Sequence, residues 1–271
     1  MAVSRWEAFV ANRWAASAAL FLLLAACSTS RSVTLTGLNH PSGWADQIRT
    51  AAVEAFPYAQ MSTNSYADDD RFDLGPDYET IVDEPNDSKG FAYSIFERRQ
   101  GGTPAELIIA FRGTEFTHLN DWIFGNFLAT QNRRGLRLYD EVDGKTDLPI
   151  SVTGHSLGGA IATYISLRRE NVRTYVFNSS PRFSRSGRAP ANRRLSIVEY
   201  GELLKAARVF GGEPTQTYIS INCTPGIDVL KGHGIRRLAA FLTRIAAWHS
   251  PAARRSLALN GLRWPVGLPR D

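Results

Sequence analysis

The sequence predicts an α/β fold built on a mostly parallel sheet with helices on both faces. Three observations predict it. Strand-like and helix-like runs alternate along most of the 271-residue chain. Two of the strand-like runs, Ala105 to Phe111 and Leu148 to Thr153, are apolar almost without polar interruption, as expected of strands covered on both faces. Between the second run and a helix-like run lies Gly154-His155-Ser156-Leu157-Gly158, a G-x-S-x-G in strand–turn–helix context.

The elements follow in order. Trp44 to Phe56 places Ala51, Ala52 and Ala55 on one spaced face and reads as an amphipathic helix ending before Pro57. Asp68 to Pro76 is a polar, acidic loop. Gly90 to Arg98 alternates as a strand, and Gln100 to Pro104, with two glycines and a proline, is a turn leading into Ala105 to Phe111. The helix after Ser156 runs to Arg169. Strands follow at Arg173 to Asn178, Leu195 to Tyr200 and Gln216 to Ile221, with a helix at Leu203 to Phe210. Ile235 to Trp248 carries Ile235, Leu238, Ala239, Leu242, Ile245 and Ala246 on one face, and Arg236, Arg237 and Arg244 elsewhere. From Ser250 onward the proline-bearing segment reads as a loosely held tail. The sequence shows no internal repeat, and no second domain is expected.

Composition constrains function less than pattern does. The net charge of +5 and pI near 9.4 are mildly basic, but the arginines are scattered. Without a zinc spacing, an RNP-like motif or a long basic block, nucleic-acid binding is not expected. The N-terminus reads as an address. Arg5 and Arg13 precede an apolar run from Ala15 to Ala26, too short for an ordinary membrane span. Leu24-Ala25-Ala26-Cys27 resembles the bacterial lipobox, which implies cleavage before Cys27 and acylation of that residue. Ser28 after it favours outer-membrane sorting. The expected organisation is a signal peptide over 1–26, a tether over 27–43, a catalytic domain over 44–250 and a tail over 251–271. Cys223 is then the one remaining thiol, with no disulfide expected.

Acyl transfer by a serine needs a presented hydroxyl, a base, an acid to orient the base, and donors for the oxyanion. Ser156, at the apex of a tight glycine-flanked turn, supplies the hydroxyl. The amide of Leu157, next in the chain, points at the oxyanion in such an elbow. A second donor is expected from the segment after an earlier strand, where Arg112-Gly113-Thr114 follows Phe111 directly; Thr114 is the candidate. Arg112 reads as a buried structural arginine paired with an acid such as Asp121, the alternative being a clamp for a substrate carboxylate. Of the five histidines, His155 sits inside the elbow and faces away from the hydroxyl, His40 lies in the tether, and His118 lies in the loop after Thr114. The chain order Ser…acid…His selects His233, after the last strand, with His249 second. For the acid, Glu202 directly follows the strand Leu195 to Tyr200; Asp228 is next, and Glu199 lies within the strand.

Several pieces together resemble the class 3 lipases, the fungal-lipase-like branch of the α/β-hydrolases. They are Tyr58-Ala59-Gln60-Met61-Ser62, Leu107 to Thr114, Asp121-Trp122, Thr153 to Gly159, and Phe177-Asn178-Ser179-Ser180-Pro181-Arg182, spread over about residues 45–245. The resemblance implies an α/β-hydrolase fold and carboxylic-ester hydrolysis without metal or cofactor. It maps the nucleophile to Ser156, the oxyanion donors to Thr114 and Leu157, and the base to His233. It also implies that residues 115–135, with Phe116, Leu119, Trp122, Phe124 and Phe127, form a lid or apolar rim, the alternative being a surface helix packed inward. In that family the acid is usually aspartate, so Glu202 is a departure. The expectation is a lipid-anchored envelope lipase or phospholipase that meets acyl lipids at high local concentration. The alternatives are an esterase or thioesterase for soluble substrates, and a non-catalytic envelope lipoprotein that keeps the fold.

Overall fold

The computed structural model describes residues 37, 39–66, 71–85, 90–113, 127–181, 191–200, 216–223 and 234–270. The chain divides into Met1–Leu35 and Thr36–Asp271, and only the second unit contains described residues. Cys27 and the signal peptide therefore lie outside them.

Seven strands form one sheet in the order β1-β2-β3-β4-β5-β6-β7, so each strand pairs with its predecessor in the chain. They are β1 (Tyr78–Glu84), β2 (Tyr93–Gln100), β3 (Thr103–Phe111), β4 (Ile150–His155), β5 (Arg173–Phe177), β6 (Arg194–Glu199) and β7 (Thr217–Ile221). The first three pair antiparallel, and β3 to β7 are parallel. The mostly parallel sheet expected from the alternation is thus present. The turn between β2 and β3 is Gly101-Gly102, with φ of 60° and 82°, the two left-handed residues that a tight hairpin of matching twist requires.

The helices among the described residues are α1 (Asp46–Asn64), α2 (Phe127–Asp143), α3 (Leu157–Ser166), α4 (Ile235–Ala246) and α5 (Pro251–Leu259). They cover both faces. Alternate residues of β3 show the split. Ile108 and Ala110 join a core cluster with α1, α4 and α5, whereas Leu107, Ile109 and Phe111 join a second cluster with α2 and α3. Burial of β4 and of the second half of β3 on both faces explains their mostly apolar runs in the sequence.

Three expectations are corrected here. The first helix does not stop at Pro57 but runs on to Asn64. Pro57 removes one backbone hydrogen bond, yet Tyr58, Ala59 and Met61 beyond it are buried against the sheet, and that burial holds the helix together. The end of the expected tether is not loose: His40 packs its ring on Trp248 and His249, with centroids 5.3 and 5.1 Å away. The segment after Ser250 is not a loose tail either. Ser250 caps α5 by accepting from the Ala253 N–H, Pro251 occupies the first turn, and Ala253, Leu257 and Leu268 are buried in the core. The helix expected at Leu203 to Phe210 lies outside the described residues.

A polar layer fixes α1 to the sheet. Glu106, wholly buried in β3, accepts from the Tyr58 hydroxyl at 3.1 Å and the Ser151 hydroxyl at 2.5 Å. Arg98 and Arg173 approach the same carboxylate at 2.8 and 3.3 Å. Tyr58 in turn stacks on Tyr175 at 3.8 Å between centroids. Burial, and then the Glu106 charge, push the Tyr58 phenol far above its ordinary range, so it remains a donor. Glu106→Leu would leave two hydroxyls without an acceptor and two guanidiniums without their counter-charge. Its expected cost is about 3 kcal/mol, read from urea unfolding. A cost below about 1 kcal/mol would mean the layer is incidental.

Candidate active site

The site is assembled where β3, β4, β5 and β6 end. β4 delivers His155 and then Ser156, whose backbone sits at φ 56° and ψ −120°, before α3 begins at Leu157. A non-glycine residue in the left-handed region is strained, and it persists only where its surroundings hold it. Here the surroundings do. The Ser156 N–H donates to the Phe177 carbonyl at 3.1 Å, and its own carbonyl accepts from Ser180 N–H at 2.9 Å and Ala160 N–H at 3.3 Å. The Ser156 side chain does not cap the helix it starts.

The glycine spacing is a steric demand. A Cβ on Gly154 would lie 2.5 Å from the Gly158 carbonyl oxygen, and one on Gly158 would lie 2.7 Å from the Phe111 carbonyl carbon and closer still to its oxygen. Strand β4, helix α3 and the end of β3 therefore meet backbone to backbone. The Leu157 amide, first residue of α3, stands at this junction as the elbow pattern requires.

On the other side of Ser156 the chain of β3 ends in Arg112 and Gly113. A Cβ on Gly113 would lie 2.7 Å from the His155 carbonyl and 3.1 Å from Ser156 Cβ. The segment expected to bring the second oxyanion donor thus passes against Ser156. Thr114 itself, the next residue, lies outside the described residues, as do His118 and Asp121. Arg112 is buried, with its guanidinium 5.3 Å from the centre of the Tyr66 ring.

His155 is buried and its Nδ1 is 2.8 Å from the Tyr66 hydroxyl, in keeping with a structural role. His249 is not brought to the site. Arg237 in the first turn of α4 approaches Glu199, the last residue of β6, at 3.3 Å, which fixes the start of α4 at the site's edge of the sheet. His249 follows the far end of that helix, about 18 Å further along at 1.5 Å per residue. His233 immediately precedes Gly234, the N-cap of α4, and lies outside the described residues; so do Glu202 and Asp228.

Two residues near the site carry more than the sequence reading assigned them. Asn178, at φ 42°, accepts from the Glu199 N–H through Oδ1 at 2.8 Å and so ties the end of β5 to the end of β6. Glu199 is a buried carboxylate facing Arg237, not an ordinary strand residue. Cys223 is half-buried, and burial followed by the Glu199 charge pushes its thiol well above the usual range. It is a protonated, weakly reactive thiol. Of the expected lid, residues 129–135 belong to α2, whose Gly135 packs against Ile161 of α3; Phe116, Leu119, Trp122 and Phe124 lie outside the described residues, and of the Phe127 side chain nothing is described.

A family model, phospholipase-like with a Tle-like phospholipase domain, matches residues 51–187, just over half of the chain. The chain belongs to the Tle-like phospholipase family. The matched span of this phospholipase-like chain includes β3, α2, the elbow and the Asn178-Ser179-Ser180 brace. Membership gives the coarse activity class, a lipid-ester hydrolase. No curated protein matches the sequence. Among solved structures, the chain is similar to a lipase from Rhizopus microsporus var. chinensis, at 15% identity over 74% of this chain and 81% of that one, TM-score 0.47. It is similar to lipase II from Rhizopus niveus, at 15% identity over 68% and 83%, TM-score 0.46. It is also similar to Rhizomucor miehei lipase in its propeptide complex, at 15% identity over 72% and 80%, TM-score 0.44.

Proposed function

We propose that the chain is a serine carboxylic-ester hydrolase acting on acyl lipids, a lipase or phospholipase, through an acyl-enzyme. The observation that carries this is Ser156: a serine held at φ 56° between β4 and α3, with its hydroxyl not used to cap the helix. In this reading Ser156 Oγ attacks the ester carbonyl while His233 takes its proton. Leu157 and Thr114 donate to the oxyanion, and Glu202 orients the imidazole, with Asp228 second. Collapse of the tetrahedral intermediate breaks the bond to the alcohol, which leaves with the proton from His233. Water, deprotonated by the same imidazole, then releases the carboxylic acid and restores the serine. The reading extends to residence: Cys27 carries the acyl anchor, which holds the enzyme on a bacterial envelope membrane, the outer one by the serine that follows it.

The test is covalent labelling of the full chain with a fluorophosphonate. One phosphonyl group is expected on the peptide containing Ser156, with no labelling of Ser156→Ala. Folded wild-type protein that takes no label, or labels equally without Ser156, would remove the proposal. Incorporation of radiolabelled palmitate in cells, lost in Cys27→Ser, tests the anchor separately.

A further inference from the structure

The two donors of the oxyanion hole belong to different segments. One is on the β4–α3 elbow, the other follows the end of β3. An oxyanion hole works only if such donors are held within about 0.5 Å of the productive geometry. Something must fix one segment to the other.

The Tyr66 hydroxyl does this on the side next to the nucleophile. It accepts from the Gly113 N–H at 3.1 Å, and it lies 2.8 Å from Nδ1 of His155. Gly113 is the last described residue before Thr114, and His155 is the residue before Ser156. One phenol oxygen therefore joins Gly113, at the end of the β3 segment, to His155 of the elbow that carries Ser156 and Leu157. Having accepted from Gly113, the phenol retains its proton for the imidazole.

Tyr66 is itself well held. It follows the end of α1, where its N–H donates to the Thr63 carbonyl at 3.1 Å. Ser62, one turn earlier, bonds Thr153 of β4 at 2.8 Å. Asn64 exchanges two hydrogen bonds with the Phe72 backbone, at 2.7 and 2.8 Å, which pins the chain as it returns. Arg112, one residue before Gly113, places its guanidinium over the ring. The space is filled: a Cβ on Gly113 would come 2.5 Å from the Tyr66 hydroxyl.

We infer that Tyr66 is a positioning residue for the oxyanion hole, setting the distance between Gly113, at the end of the β3 segment, and the elbow. The inference rests on the proposed reading, with Ser156 as nucleophile and Leu157 and Thr114 as oxyanion donors. It predicts an effect confined to the transition state, because the negative oxygen exists only there.

The test compares wild-type full-length protein, Ser156→Ala and Tyr66→Phe on p-nitrophenyl butyrate, with active sites counted by phosphonate titration. Tyr66→Phe keeps the ring under Arg112 and removes only the bridging oxygen. It is expected to lower kcat per titrated site about tenfold, with KM changed less than about twofold. Labelling by the phosphonate, which places an anionic oxygen in the same hole, is expected to slow by a similar factor. His155→Phe opens the bridge from the elbow side and is expected to show the same split, so the test survives if one variant does not fold. Wild-type kcat in a folded Tyr66→Phe overturns the inference. So does a loss accounted for by fewer titratable sites, or one shared equally between kcat and a raised KM. Failure of the Ser156 reading looks different, since wild-type protein then takes no label at all.

Discussion

Ser156→Ala is expected to reduce hydrolysis of p-nitrophenyl butyrate by about 10⁴-fold or more, leaving only what the oxyanion donors and substrate binding supply. The fold is expected to survive, because the hydroxyl removed is not used to cap α3, and the backbone bonds from Phe177, Ser180 and Ala160 are untouched. A second variant separates strain from chemistry. At φ 56° and ψ −120° any residue with a Cβ is strained by about 1–3 kcal/mol, and glycine is not. Ser156→Gly is therefore expected to unfold at a higher urea concentration than Ser156→Ala, although glycine's floppier unfolded chain offsets part of the gain. Both variants are to be equally inactive. Ser156→Ala retaining more than about a tenth of wild-type turnover would show that another group performs the chemistry.

The second large effect is at Gly158. Its hypothetical Cβ meets the carbonyl of Phe111 and comes 3.0 Å from the carbonyl carbon of Arg112. These are backbone atoms with no flexible end that can swing aside. Gly158→Ala must push the start of α3 away from the end of β3. The expected loss is more than about 3 kcal/mol of stability. Whatever folded protein remains has its Leu157 amide displaced from the Gly113 segment, and its kcat is expected to fall about 100-fold. Gly101→Ala is the control. It also has a positive φ, of 60°, but nothing lies within 4 Å of its Cβ. It should cost about 1 kcal/mol and leave turnover unchanged. If the two alanine variants melt together, close backbone approach is not what selects glycine at 158.

What was legible in the sequence, and what was not, follows from where each signal resides. β3 announces itself because both faces of its second half are covered, so Leu107 to Phe111 runs without a polar residue; β4 is buried throughout and leads straight into the elbow. β1 does not, because its residues are largely exposed and carry no alternation. α2 escapes for a related reason: its buried residues include Gln131 and Asn132 beside Tyr139, and at Gly135 it leaves no room for a side chain against Ile161 of α3. Its apolar stripe, Leu136, Tyr139 and Val142, is confined to the C-terminal half. α5 had a readable start, Ser250 followed by Pro251, which a reading of proline as a breaker passes over. At the site, the elbow is legible because its glycines answer a local steric need. Tyr66 is not, since its partner His155 is 89 positions away and nothing local to either residue records the contact. The same holds for Asn178 and Glu199, whose bond joins the ends of two strands.

The amide of Gln60, in the first described helix, donates to Thr243 of α4 and Ser256 of α5, partners 183 and 196 positions later. The strands, by contrast, are laid down in chain order, each beside the one made before it. A polypeptide leaving the ribosome can thus grow its sheet progressively while one side of α1 waits, wet, for the last two helices. The docking of α4 and α5 on α1 is then the last contact made within the described residues. Until it forms, the apolar side of α1 is open to proteases and to self-association.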